Sequence, residues 1–282
     1  MLFSRCVGIL SKEEARARLY KAADDPTGDI AAASLWIAAE EYPDLVLADS
    51  QDYLDRLADR VQARSKAPGG LSPREAQVAE IYEQEGFRGN SIEYYDPRNS
   101  YLNDVIERRL GIPISLAIVY VGVARRTGRS ASGLSTPGHF LVLDGDEIID
   151  PFDRGRIVER PALLTQLGAA GIQDPAAWLD RLCAEPASTR SILARMLVNL
   201  RGNHLRRGDD PRALDAVDRL VHLDPENPMW LRERGVLYQR LDCPAAAVSD
   251  LEAYLARVPD DPEAEIIRTS INRLVRNRPT LQ

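Results

Sequence analysis

Hydrophobic residues recur at helical spacing through the first third of the chain. Ser11, followed three residues later by Glu14, predicts a capped helix that continues to about Ala23. Asp29 opens a second, alanine-rich helix, which Pro43 ends because proline disfavours helix at the residue before it. Two further helices are predicted in the same way: one that ends before the Pro-Gly-Gly segment 68–70, and one that opens at Ser72 and Pro73 with Glu75 at its third position.

The middle of the chain predicts a polar helix followed by an apolar one. Residues 100–110 form the polar helix, which we expect Gly111 to close. Pro113 then begins a second helix, and its body, residues 114–124, is apolar almost all the way round. A helix of that character is predicted to be buried.

The hydrophobic period changes from 3.6 to two after this helix. Residues 138–143 and 147–150 alternate around an Asp144-Gly145 turn, which is a strong β-hairpin signal. Two short helices, 161–169 and 175–183, are predicted after the hairpin. A buried helix that leads into an antiparallel sheet indicates an α+β fold.

The last third contains an internal repeat. Seven positions between Leu197 and Pro225 recur 34 residues later, between Leu231 and Pro259, and this spacing is the tetratricopeptide period. The predicted units are a repeat at about 194–227, a repeat at about 228–261 and a capping helix at 262–277. Stacked repeats of this kind usually build concave surfaces for protein partners.

Composition places the chain among ordinary globular proteins. It has 282 residues, of which 44% are hydrophobic and 28% charged, and its net charge of −7 argues against non-specific nucleic-acid binding. We expect no membrane span and no secretory signal in residues 1–10, and therefore a cytoplasmic location. The number of cysteines is odd, so no disulfide framework is predicted; they are Cys6, Cys183 and Cys243.

Two residues of the predicted hairpin have the chemistry of a catalytic pair. His139 and Asp150 lie on adjacent antiparallel strands, so the carboxylate can orient the imidazole. A nucleophile at the start of the buried helix would complete a nucleophile-His-Asp arrangement, in the order seen in transglutaminase and papain-like cysteine enzymes. No cluster has zinc spacing and no phosphate-binding loop is present, so neither a metal site nor a cofactor is predicted.

The same segments carry a family resemblance. RNSYLNDVIERRLGIPISLAIVYVGVARRTG, followed by PGHFLV and IIDPF, resembles the bacterial SirB family, and AASLWIAAEEYPDL is similar to that family's N-terminal helices. The resemblance implies a mostly helical transglutaminase-like (papain-like) core with a small antiparallel sheet, followed by an all-α tetratricopeptide domain. We expect the first domain to cover residues 1–185 and the second 186–282.

The resemblance does not imply an activity. It puts Pro113 where the nucleophilic cysteine should stand, and proline cannot attack a substrate. Ser115 is the nearest alternative, although a serine needs a well-placed base and an oxyanion hole, and the other interpretation is that it caps the helix. His139 and Asp150 likewise have two interpretations, a catalytic or ligand-binding role or a structural one that pins the hairpin.

A loop rich in hydrogen-bonding side chains precedes the polar helix. Tyr94, Tyr95, Arg98 and Asn99 are candidate ligand-binding residues in this loop, because recognition loops have this composition. Solvated loops look the same.

These observations favour a binding protein over an enzyme. The first hypothesis is a non-catalytic transglutaminase-like protein that acts through protein binding or regulation, with a protein or peptide partner on the repeats. The alternative is an acyl-transfer hydrolase, a protease or amidase that uses Ser115 with His139 and Asp150. A regulatory scaffold that uses only the repeats is the third hypothesis.

Overall fold

A computed structural model gives the structure of residues 10–276. The chain divides into two compact units, the first ending at Leu193 and the second beginning at Ala194.

Helix caps in the sequence set the N-terminal helices of the first unit. The Ser11 hydroxyl accepts a hydrogen bond from the Glu14 amide at 3.1 Å, and the Glu14 carboxylate accepts one from the Ser11 amide at 3.0 Å. Ser72 and Glu75 form the same capping box. The predicted helices are confirmed as α1 (Lys12–Ala23), α2 (Ile30–Glu41), α3 (Leu47–Lys66) and α4 (Pro73–Val78).

The segment after α4 differs from the prediction in two places. The helix continues as a π-helix over Ala79–Gln84, which the hydrophobic pattern does not signal. After a 3-10 turn (Pro97–Asn99), helix α5 (Leu102–Arg108) ends at Arg109, whose left-handed φ of 60° stops it, so the prediction that Gly111 closes this helix is wrong. Gly111 lies instead in strand β2 (Leu110–Gly111), which pairs in parallel with β1 (Arg88–Gly89).

The central helix of the first unit is α6 (Pro113–Arg126), and its predicted burial is confirmed. Every residue from Pro113 to Ala124 is buried. The helix packs against α2, α3 and α5 and against the first two strands of the sheet that follows it. Burial of its apolar side chains, at roughly 1.5–3 kcal/mol for each large one, makes α6 the organising element of this core.

An antiparallel sheet of four strands, in the order β3-β4-β5-β6, follows α6. Its strands are β3 (Ala131–Thr136), β4 (His139–Asp144), β5 (Glu147–Asp150) and β6 (Arg156–Ile157). The hairpin prediction is confirmed, but the turn is Gly145-Asp146, because Asp144 still pairs with Glu147. Strand β3 was not predicted, since ASGLST carries little β propensity.

Two short helices complete the hydrophobic core under the sheet. They are α7 (Arg160–Ala169) and α8 (Pro175–Ala184), in agreement with the prediction. Leu163, Leu167 and Leu179 pack with Leu134 and Leu141 of the sheet.

The second unit consists of antiparallel helices with the predicted tetratricopeptide pattern. Gly235 permits a close helix approach, because a Cβ there would lie 2.9 Å from the Leu251 side chain. The helices are the part of α9 (Thr189–Arg206) that begins at Ala194, and α10 (Asp210–Leu223), α11 (Met229–Arg240), α12 (Pro244–Arg257) and α13 (Ala264–Arg276). The predicted capping helix ends at residue 277, which lies outside the described residues.

Among the helices of residues 10–276, none combines the length and the apolar character needed to cross a bilayer.

Candidate functional site

His139 and Asp150 meet across strands β4 and β5. The register pairs Val142 with Ile149, which puts Asp150 diagonally opposite His139 on the sheet. The Nε2 atom of His139 lies 3.0 Å from Oδ2 of Asp150, with the imidazole one-third exposed and the carboxylate largely buried. The structure therefore brings these two predicted residues together at the surface end of the hairpin.

The Asp150 carboxylate is stabilised in its charged form. Its other oxygen, Oδ1, accepts hydrogen bonds from the backbone amides of Phe152 at 2.9 Å and Asp153 at 3.2 Å. Burial acts to raise the pKa of Asp150, but the hydrogen bond to His139 and these two amides outweigh it and hold that pKa below the usual value. The carboxylate is thus a fixed anion that orients His139.

A row of aromatic rings extends from the histidine. The His139 and Phe152 rings meet edge to face at 6.3 Å, Phe152 meets Tyr94 at 6.1 Å, and Tyr94 meets Tyr95 at 5.3 Å. We call these four residues the aromatic row. Tyr94 is 37% exposed and Tyr95 54% exposed, so the row presents a solvent-facing surface beside the imidazole.

The position of Phe152 depends on the glycine of strand β1. A Cβ at Gly89 would overlap the Phe152 ring, so the ring lies directly on this backbone. Gly89 pairs with Gly111, two residues before Pro113 begins α6. The aromatic row therefore lies near the start of α6.

Asn99 supports the loop of residues 91–96 that carries Tyr94 and Tyr95, which we call the tyrosine loop. It is fully buried, and its side-chain amide donates to the backbone carbonyls of Glu93 at 2.7 Å and Tyr94 at 3.2 Å. Its Oδ1 accepts a hydrogen bond from the side chain of Asn90 at 3.0 Å. These contacts fix the backbone that carries the exposed tyrosines, whereas direct ligand contact requires an exposed side chain.

Arg98 lies outside the aromatic row. Its guanidinium pairs with Asp96 at 2.8 Å and is 55% exposed. Burial acts to raise the pKa of Asp96, but the Arg98 hydrogen bonds and the Arg108 charge lower it below its usual range. Arg98 and Asp96 thus form an ion pair between residues two apart in sequence.

Ser115 is buried at the third position of α6. Its hydroxyl donates to the Asn99 carbonyl at 2.6 Å and accepts from the Ile112 amide at 3.1 Å. A serine hydroxyl has only one proton to donate, and here that proton is used by a backbone carbonyl. This geometry fits a helix-capping role for Ser115.

Tyr82, on the π-helix, was not predicted as a candidate residue. Its ring is buried, its hydroxyl makes no hydrogen bond within residues 10–276, and a Cβ at Gly155 would lie 2.5 Å from the ring. Burial raises the pKa of Tyr82 well above the usual value, and the charges of Tyr120 and Asp150 raise it further. Only its place on the π-helix marks it, because π-helical turns are frequent at functional sites.

Three further residues near this site, Phe152, Gly89 and Asn90, were not predicted. Phe152 follows Asp150 in the IIDPF segment, which is a usable signal. The other two show their roles only through the contacts described above.

The structure describes two of the three cysteines. Cys183, on α8, and Cys243, before α12, are free thiols, and burial raises the pKa of the Cys183 thiol. Cys6 lies outside the described residues. Across the described part of the chain, no group of three or more His, Cys, Asp or Glu side chains is arranged to hold a metal ion.

Family comparisons match both parts of the chain. The model of the transglutaminase-like superfamily matches residues 48–198, and a tetratricopeptide-repeat model matches residues 200–272. The first match covers more than half of the chain.

Curated relatives match most of the chain. A "UPF0162 protein" of Xylella fastidiosa is 39% identical over 257 residues, which cover 87% of this chain and 89% of that protein. A "UPF0162 protein" of Vibrio cholerae is 32% identical and covers 71% of this chain and 75% of its own length. "Protein SirB1" of Salmonella typhimurium is 25% identical and covers 79% and 84%. No solved structure gives a significant match.

Proposed function

Because this chain belongs to the SirB and UPF0162 family of transglutaminase-like proteins, and its core is followed by tetratricopeptide repeats, we propose that it acts by binding or regulating a protein partner without catalysis. The observation that carries this proposal is the burial and hydrogen bonding of the Ser115 hydroxyl. Its hydroxyl is buried and donates to the Asn99 carbonyl at 2.6 Å.

Acyl transfer needs a nucleophile whose proton the base can take. In such sites the nucleophile lies about 2.6–3.2 Å from the base. The hydrogen bonds of the Ser115 hydroxyl all go to backbone groups of Asn99 and Ile112, and Pro113 occupies the start of the helix. These contacts support a core that no longer carries out acyl transfer.

The remaining features suit binding. The aromatic row offers rings and an oriented imidazole to a ligand at the core domain. The repeats supply a second surface, which we assign to the protein partner. The free thiols Cys183 and Cys243 fit a reducing compartment such as the cytoplasm.

Site-specific photo-crosslinking in the native host tests the proposal. A benzoylphenylalanine residue replaces Val236 on α11 in one strain and Tyr95 in the aromatic row in another, since both side chains are exposed. Leu71, which is 40% exposed in the first unit, provides the control position. We expect a discrete partner from position 236 that the control does not capture. The same bands from position 236 and from the control position 71, or no band from position 236, would contradict the proposal.

An acyl-transfer activity is the second candidate, and the geometry of His139 and Asp150 favours it. A 3.0 Å contact to a charge-stabilised carboxylate is the arrangement of a catalytic base and its orienting group. Intact-mass spectrometry after treatment with a fluorophosphonate probe tests it, with Ser115→Ala and His139→Ala as comparisons. We expect no adduct on Ser115. An adduct that both substitutions abolish would establish the enzyme and overturn the non-catalytic proposal.

A further inference from the structure

A groove runs between the first helices of the two repeats. It encloses about 270 Å³, and α9 and α11 provide its walls. We call it the repeat groove. Its lining includes Arg201, Leu205, Met229, Arg232, Val236 and Arg240.

The repeat groove has an accessible apolar floor. Met229 is 44% exposed and Val236 is 36% exposed, and both are among the large hydrophobic residues that the fold leaves in contact with solvent. Leu205 adds a half-buried side chain beside them. An apolar side chain of a partner would lose contact with water here.

The walls of the repeat groove are basic although the chain is acidic. Among the lining residues, Arg201, Arg232 and Arg240 are basic, and Glu233 is acidic. With a net charge of −7 for the whole chain, this concentration of arginine marks the groove.

The groove arginines take part in exchangeable ion pairs. Arg201 pairs with Glu233, Arg232 pairs with Glu263 and lies 3.9 Å from Asp261, and Arg240 approaches Asp210 at 3.3 Å. Glu263 is 53% exposed and Arg240 is 54% exposed, so the ion pairs that they make contribute little, and a carboxylate from a ligand offers the same chemistry. The arginine heads are therefore held along the groove and can exchange one carboxylate partner for another.

We propose that the repeat groove binds an acidic peptide segment of a protein partner, with an apolar side chain over Met229 and Val236 and carboxylates on Arg232 and Arg240. This inference rests on the proposed function and names the chemistry of its partner. The apolar floor favours a peptide over a nucleic acid, because methionine and valine side chains offer no favourable contact to phosphates.

Selection of a random dodecapeptide display library on the full chain tests the inference. We expect the selected peptides to be rich in Asp and Glu and to contain an apolar residue. Fluorescence anisotropy then measures the best peptide against variants. Arg232→Glu and Arg240→Glu should each weaken binding about tenfold, and Val236→Ser several-fold.

Arg257→Glu is the matched control. Arg257 lies on α12 outside the groove, where its guanidinium donates to the Pro225 carbonyl at 2.7 Å. Its charge reversal should leave peptide affinity unchanged. Arg232→Gln, with folding checked by circular dichroism, separates a lost contact from a lost fold and should retain an intermediate affinity.

Three results would overturn the inference. They are selected peptides without acidic enrichment, equal losses in Arg232→Glu and Arg257→Glu, and displacement of the peptide by a 20-nucleotide single-stranded RNA at lower concentration than by the unlabelled peptide. If crosslinking from position 236 still captures a partner, the proposed function stands and only the acidic specificity falls. If no partner is captured, the proposed function falls as well.

Discussion

The Nε2 atom of His139 and the Oδ2 atom of Asp150 lie 3.0 Å apart, although ten residues and a tight turn separate them along the chain. Strand register produces this contact, because it pairs Val142 with Ile149 and leaves His139 and Asp150 diagonal on the same face. The contact links the hairpin, the loop at Phe152 and the aromatic row. Loss of the His139–Asp150 contact should therefore change both the free energy of unfolding and the order of the neighbouring loop.

Asp150→Asn should destabilise the chain at neutral pH by about 1–3 kcal/mol, since the imidazole and two backbone amides lose a charged acceptor. The folded-state pKa of Asp150 is depressed, so the wild-type contribution is complete above the unfolded value of about 3.9. It is lost as the pH falls through the lower folded value. Urea unfolding at several pH values measures the difference.

The wild type and Asp150→Asn should thus converge in stability as the medium is acidified toward pH 3. A difference that stays constant from pH 7 to pH 3 would show that the carboxylate charge is not responsible.

Asn99→Ala should loosen the loop that carries Tyr94 and Tyr95. The substitution removes two hydrogen bonds to loop carbonyls and the one from Asn90, at a cost of about 1–3 kcal/mol. Hydrogen exchange of the amides in residues 91–96 should become faster. Arg98→Ala, at an exposed ion pair, is the comparison and should cost under about 1 kcal/mol. Equal exchange in the two variants would argue against a supporting role for Asn99.

Gly89→Ala should displace the Phe152 ring, because the new Cβ would overlap it. We expect a loss of about 1–3 kcal/mol in the free energy of unfolding, as in other overpacked sites. Phe152→Ala removes the obstacle, so Gly89→Ala should cost much less in that background. A double-mutant cycle by urea unfolding checks this. Additive losses would mean that the ring does not depend on the glycine.

His204 should make the second unit sensitive to mild acid. Burial lowers its pKa from 6.5 to about 4, so the folded state resists a proton that the unfolded chain accepts. The stability that the neutral His204 allows is then fully present above pH 6.5. It falls as the pH drops toward 4, by up to ~3 kcal/mol. Hydrogen exchange of the α9 amides measures the slope. His204→Gln should flatten it, and an unchanged slope would assign the effect to other groups.

Local chemistry in the sequence determines much of the helical structure. The capping boxes at Ser11 and Ser72 need only neighbouring residues to act, and the apolar surface of α6 and the 34-residue repeat are visible as patterns along the chain. The family and the transglutaminase-like fold follow from the resemblance of the motifs in residues 98–152, the tetratricopeptide fold follows from the repeat, and all three are confirmed.

The sequence predicted less well those elements whose formation depends on residues far away along the chain. Strand β3 forms because β4 supplies its hydrogen bonds, and its own residues favour no strand. Helix α5 ends at Arg109 and not at Gly111, since Gly111 is needed to pair with Gly89. In both places tertiary pairing overrides local preference.

The sequence by itself determined which residues could carry chemistry: His139, Asp150, Ser115 and the tyrosines. Only the tertiary structure decided which groups each of them contacts. It brings His139 to Asp150 through strand register and directs the Ser115 proton to the Asn99 carbonyl. It also turns Asn99 inward, so that the exposed surface belongs to Tyr94 and Tyr95. The physical reason is that a hydrogen-bond partner sixteen residues away, or one strand away, is chosen by packing and not by sequence spacing.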